Sequence, residues 1–456
     1  MTPTDAARYR ELAEAALRWV LAQVEDEDGP RIPARVDVDT GTSEPSEDAY
    51  RDGLHEGIGG LAHVLAEIRL SRPWTEAEAD LAAAVAERLR ARIPEVSDAS
   101  FFDGLSSIVG ALIVLDAPGA DEAVHRLLAT AETDGWPPAY PLSPEKHRPG
   151  SRINDATLGT ASVLLAAIWA LRRDVPGARA LAERAVDILL AEGEPEPTGT
   201  NWRMVSSRFL LLPVGQMPNW SHGLAGIAGS LAVAGTELGR PDLVEAARRG
   251  AEHLITLGDA SDAGFVVPLS IPPADPARAD PISYGWCHGP TGTSMLFLAL
   301  DRAGVTEVAG RPTTSWHARG RHSVRVSGLP DRLRPGFWDN DGHCCGTAAV
   351  GDAVLDAYAR AGDDGELAFG VRLGDALVER AVVTDGHAYW RFLEHRSEQP
   401  LLPPGVGWMQ GAAGIAAYLF RLGRVLETGP AAEAVRRMEN WWALDVDPRP
   451  TRSSGQ

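Results

Sequence analysis

GLAGIAGSLAVA (residues 223–234) is one of seven versions of a single unit. The others are GIGGLAHVLAEI (57–68), GLSSIVGALIVL (104–115), GTASVLLAAIWAL (159–171), GPTGTSMLFLAL (289–300), GTAAVGDAVLDAY (346–358) and GAAGIAAYLFRL (411–422). Their first glycines are 47, 55, 64, 66, 57 and 65 residues apart, a loosely constant period of the kind that marks a repeat architecture. Each version opens on a glycine, carries a second small residue three positions on, and continues as an apolar run with almost no charge. Small residues at such a start let two backbones approach closely.

Between these units lie stretches of a different character. TEAEADLAAAVAERLRAR from Thr75, ARALAERAVDILLAEG from Ala178, PDLVEAARRGAEHLITLG from Pro241 and AAEAVRRMENWW from Ala431 have the spacing of helices with one apolar face. An apolar helix alternating seven times with an amphipathic one predicts a buried layer inside an exposed layer. The fold class expected is all-α, an α/α toroid of seven helical hairpins and about 14 helices. An open solenoid would need polar end repeats, yet the copies at Gly57 and Gly411 are as apolar as the rest. A closed ring is one domain, expected over residues 1–445, with a disordered tail over 446–456.

Composition removes several classes of function. The formal net charge of −20 repels phosphate backbones, which argues against a nucleic-acid partner. No apolar run approaches the roughly 20 residues of a membrane span. The N-terminal stretch is charged throughout and lacks a signal-peptide core, so a cytoplasmic location is expected. Three cysteines in a reducing compartment argue against a disulfide framework.

The candidate chemistry is found by aligning the seven copies. The residue before the first glycine is Glu56, Asp103, Leu158, His222, His288, Cys345 or Gln410. Two before it stand His55, Phe102, Thr157, Ser221, Cys287, Cys344 and Met409. Every cysteine in the chain falls in these two columns, together with His222 and His288, all in copies four to six. In a ring, equivalent columns share one rim and consecutive copies are neighbours. Thiolate and imidazole at one place are zinc ligands, and a catalytic zinc keeps one position open. Cys287, Cys344 and Cys345 would supply three ligands; the bland readings are three buried cysteines or a strained vicinal disulfide. Asp155 breaks a column otherwise held by Gly53, Ser100, Asn219, Gly285, Gly342 and Gly407, and either a functional carboxylate or a helix cap would explain it. His55 is read as structural and Trp286 as packing.

At these residues the chain resembles the lanthionine synthetase C family. The resemblance rests on Ser221-His222-Gly223, Trp286-Cys287-His288-Gly289, Cys344-Cys345-Gly346, Met409-Gln410-Gly411 and Asp155 in NDATLG. It implies an α/α toroid with zinc at its centre. It also implies addition of a cysteine thiol across dehydroalanine or dehydrobutyrine in a dehydrated precursor peptide, giving a thioether ring. Under it His222 is the acid/base, Asp155 orients it, and His288 is a second catalytic candidate. Cys345 stands where many members carry histidine, so the chain resembles the subset with three cysteine ligands. The arginine that some members carry before the Trp-Cys motif is absent from PISYGWCHG. With no activating domain ahead of the first repeat, a separate dehydratase or kinase/lyase enzyme is the expected partner. Two other readings stay open: a transferase adding glutathione to dehydro residues, and a non-catalytic zinc-containing scaffold that binds the peptide.

Overall fold

In the computed structural model, residues 3–444 are described, apart from 27, 274, 277, 278, 335, 394–397 and 399; the tail expected over 446–456 lies outside the described residues. The chain forms helices α1 (Pro3–Leu21), α2 (Gly59–Ser71), α3 (Glu76–Arg92), α4 (Leu105–Val114), α5 (Ala120–Thr130), α6 (Thr160–Arg172), α7 (Ala178–Ala191), α8 (Leu224–Leu238) and α9 (Pro241–Leu257). The series continues with α10 (Pro290–Thr293), α11 (Met295–Arg302), α12 (Thr313–Val326), α13 (Thr347–Ala361), α14 (Asp364–Arg380), α15 (Ala412–Thr428) and the short α16 (Trp441–Leu444). Strands occur only as small two-stranded hairpins among the described residues. No described helix is long and apolar enough to cross a membrane.

The seven glycine units become the inner helices α2, α4, α6, α8, α10–α11, α13 and α15. They are buried on all sides: every residue of α4 is buried, and so is every residue of α8 as far as Gly235. The paired glycines are a packing requirement. A Cβ on Gly226, Gly292 or Gly414 would lie 1.9, 1.9 or 2.0 Å from the backbone oxygen of Trp220, Trp286 or Trp408 respectively. In copies four, five and seven the first turn of the inner helix thus rests directly on the peptide plane of a tryptophan six residues earlier, and no side chain fits between them.

These turns are stitched to one another around one rim. Leu54 N–H donates to Phe102 O (2.6 Å), Phe101 N–H to Thr157 O (2.9 Å), Ser221 N–H to Cys287 O (2.8 Å), Cys344 N–H to Met409 O (2.8 Å) and Met409 N–H to His55 O (3.0 Å). The Thr157 hydroxyl donates to Ser221 O (3.2 Å), which joins copies three and four. The bond from copy seven to copy one closes the ring. Among the described residues no backbone hydrogen bond joins the turn of copy five to that of copy six.

The outer layer confirms α3, α7 and α9 as read, with Thr75 and Glu78 forming a reciprocal cap at the start of α3. The seventh outer position departs from the expectation. It is filled by α1, whose Tyr9, Ala13, Leu17 and Val20 are buried as it packs along α15. The stretch from Ala431, read as an amphipathic helix, instead makes one 3₁₀ turn (Gly429–Ala431) and then runs irregularly into the barrel. Only its first half meets solvent, at Ala431, Glu433 and Arg436, while Val435, Arg437, Met438, Glu439, Asn440, Trp441 and Trp442 are all buried. Trp441 stacks on Trp169 at 5.8 Å, and α16 packs against both α11 and α13.

That inward segment is anchored by charge. Arg437 donates to Asp352 Oδ2 at 2.8 Å and pairs with Glu439, and Arg421 holds Asp352 Oδ1 at 2.9 Å and pairs with Asp356. Burial disfavours the Asp352 carboxylate, but Arg421 and Arg437 outweigh it and hold the group well below the ordinary carboxyl range. Removing one member of such a buried network strands the others. Arg437→Ala is therefore expected to cost about 3 kcal/mol, seen as a lower urea midpoint. From the closure we infer that the ring unfolds as one unit, so the variant should shift a single transition rather than split it in two.

Candidate metal centre and acid/base site

The sulfurs of Cys287, Cys344 and Cys345 all lie within 4.8 Å of one another, a group that could hold a metal ion. All three are free thiols, and the Cys344 and Cys345 sulfurs are 3.4 Å apart. They meet at the junction of copies five and six, whose turns share no backbone hydrogen bond among the described residues. Cys287 and Cys344 are buried, whereas Cys345 is half-buried.

Without a metal the three thiols cannot all ionise. The Cys345 thiol is pushed well below its ordinary value by hydrogen bonds from Cys287 and Cys344, which outweigh the cost of burying its charge. The Cys287 and Cys344 thiols are pushed well above it: sharing protons with one thiolate makes a second and third charge expensive, and burial adds to the cost. One negative charge therefore rests on the most accessible sulfur.

His222 sits beside this cluster, on the turn before α8. Its Nδ1 is 2.7 Å from Asp155 Oδ2, and its side chain is 18% exposed while that of Asp155 is fully buried. Asp155 uses its two oxygens differently. Its Oδ1 accepts from the backbone N–H groups of Thr157 (3.1 Å) and Leu158 (2.6 Å), ordering the turn before α6, while Oδ2 holds the histidine. Burial opposes a charged imidazole, but the Asp155 charge and hydrogen bond, with the Cys345 charge, more than offset it, so the His222 pKa is raised. With Nδ1–H committed to Asp155, Nε2 is the nitrogen left for proton exchange.

His288 behaves oppositely. Burial, and then the nearby His222 charge, lower its pKa to about 4, so it is neutral at physiological pH. Its ring centre is 5.2 Å from that of His222, and its Nδ1 is buried without a hydrogen-bond partner. Trp286 packs at 6.3 Å from Phe101, in keeping with a structural part. His55, read as structural, is brought within electrostatic reach of Cys345 because copy one follows copy seven around the rim. Its column position was the only hint of this in the sequence.

A ring of seven helical hairpins with a thiol cluster and a carboxylate-held histidine on one rim defines an α/α toroid built around a thiol site. The chain belongs to the lanthionine synthetase C-like proteins, whose family pattern matches residues 48–425. Among solved structures it is similar to one described as nisin cyclase, at 13% identity, TM-score 0.54, covering 87% of this chain and 93% of that one. A cellobiose 2-epimerase from Spirochaeta thermophila DSM 6192 aligns at 15% identity and TM-score 0.48, over 93% and 96% of the two chains. At these identities the first likeness is one of fold. No curated protein matches by sequence.

The charge distribution makes a direct prediction. In protein stripped with a chelator, iodoacetamide should modify Cys345 at least tenfold faster than Cys287 or Cys344 at pH 7. A thiol already ionised has nothing to gain from added base, so its rate should stay flat from pH 7 to 9. An ordinary thiol speeds up until it passes its pKa near 8.5. Peptide mapping by mass spectrometry reads all three rates, and equal rates would contradict the assignment.

Proposed function

We propose that the chain is a zinc-dependent lanthipeptide cyclase that joins cysteine thiols to dehydroalanine or dehydrobutyrine in a dehydrated precursor peptide. The observation that carries the reading is the Asp155–His222 pair beside a cluster of three sulfurs, one of them half-exposed. The donor set suits zinc. Tetrahedral bonds of about 2.3 Å to thiolates separate their sulfurs by roughly 3.8 Å, and the sulfurs here lie within 4.8 Å of one another. Cys287, Cys344 and Cys345 would hold the ion. When bound it would supply a ligand position at which a substrate thiol is held as thiolate.

The residues of the chain then divide the proton work. The substrate sulfur forms a bond to the β-carbon of the dehydro residue, and the π pair moves toward the carbonyl as an enolate. His222, kept protonated by Asp155, gives its Nε2 proton to the α-carbon. The proton lost by the substrate thiol restores His222, so the reaction adds S–H across C=C and leaves peptide mass unchanged. His288, neutral at working pH, shapes the surroundings of His222 rather than carrying the proton. The precursor arrives already dehydrated, so a separate dehydratase or kinase/lyase would act before this chain.

Two experiments test this. Purified protein should hold about one zinc per chain, and Cys344→Ala with Cys345→Ala should lose it. Ring formation would be followed as loss of alkylatable cysteine at constant peptide mass. His222→Asn should slow it by about 10²–10⁴-fold while zinc is retained. Asp155→Asn removes the charge that raises the His222 pKa, so less imidazolium survives at alkaline pH. The alkaline fall of the rate should move to lower pH; an unmoved limb would show that His222 is not the acid.

A further inference from the structure

Cys345, the half-buried member of the cluster, also lines a groove of about 460 Å³. That volume is in the range of clefts that hold ligands rather than single waters. One wall is the loop before α10, with Ile282 and Tyr284. The other is the hairpin Phe392–Leu393 with Leu401–Leu402, whose Phe392, Leu393 and Leu402 line the groove. Tyr284 packs edge-on to Phe337 at 6.2 Å, which fixes the floor, and Arg35 lies over the Phe392 ring at 5.5 Å. All five wall side chains are only partly buried, so accessible apolar surface stands in the same groove as Cys345. Leu401, next to the wall on the same hairpin, is 51% exposed.

We propose that this groove seats the residues flanking the reacting cysteine of a peptide substrate, and that it selects apolar or aromatic side chains there. The inference rests on the cyclase reading above and adds the sequence preference. Its ground is continuity: a peptide whose sulfur reaches the cluster from the side of Cys345 lies between these two walls. Burying one flanking side chain against Ile282, Phe392 and Leu402 returns enough free energy to change affinity by about tenfold. A flanking serine has no comparable apolar surface to bury there, although Asp339, Asn340 and Gln410 also line the groove.

The test uses the full-length, zinc-loaded chain and two fluorescently labelled ten-residue peptides. Each peptide has one cysteine and an alanine in place of dehydroalanine, so no ring can form. In one the cysteine is flanked by phenylalanines, in the other by serines. Anisotropy should show the phenylalanine peptide binding about tenfold tighter. Phe392→Ala and Leu402→Ala should each shrink that ratio below about threefold, with thermal melts confirming the fold. If Phe392→Ala fails to fold, Leu402→Ala, at the more open strand, is decisive. Equal affinities in the parent, or an unchanged ratio in a folded variant, would overturn the groove. Restoring dehydroalanine separates this from the cyclase reading. Selective binding without ring formation would sink the cyclase and leave the groove standing.

Discussion

The close approach of the inner-helix glycines to the preceding tryptophan peptides is the constraint on which the rest of the structure depends. With Gly226, Gly292 and Gly414 seated against Trp220, Trp286 and Trp408, the residues just before each helix are drawn into a tight turn at one rim. Those turns then exchange hydrogen bonds with their neighbours around the ring. A side chain on such a turn has little freedom, so Cys287 and His222 are placed by backbone geometry before any metal or substrate arrives, and Cys344 is tied to the turn of copy seven through Met409. Preorganisation of this kind is what site chemistry requires of its scaffold.

The turns of copies five and six share no backbone hydrogen bond among the described residues, and there the cysteines gather. At the other end of the barrel α16 lies against both α11 and α13 of the same two copies. The junction is thus spanned by the sulfur cluster at one rim and by the inward-running C-terminal segment beneath. Arg437 ties that segment to Asp352 on α13, in a network with Arg421, Asp356 and Glu439. A metal ion held by Cys287 of copy five and by Cys344 and Cys345 of copy six would join across the same junction, and its binding would then add to ring integrity.

The site also separates charge in an orderly way. Within a few ångströms stand one lowered thiol, two raised thiols, one raised histidine and one lowered histidine. The separation comes from which group owns the buried counter-charge. Asp155 is committed to His222, so His222 takes the proton. His288 is buried without a carboxylate partner and faces an already charged neighbour, so it stays neutral. Groups whose environments push their pKa values apart can hold different roles at one pH.

The sequence by itself determined the seven-fold repeat, the inner and outer character of most helices, and the two columns that hold Cys287, Cys344, Cys345, His222 and His288. All of these are local or periodic signals: a glycine that admits no side chain, an apolar run, a fixed offset from a turn. Tertiary structure decided what depends on contacts between residues far apart in the chain. It gave the seventh outer place to α1, because the stretch from Ala431 turns inward and is buried through Arg437, Trp441 and Trp442. It brought His55 of copy one near Cys345 of copy six, and the strand pair Phe392–Leu393 and Leu401–Leu402 to the groove that Cys345 lines. It set the protonation of three chemically identical thiols, because burial and neighbouring charge are properties of the folded surroundings and not of the residue.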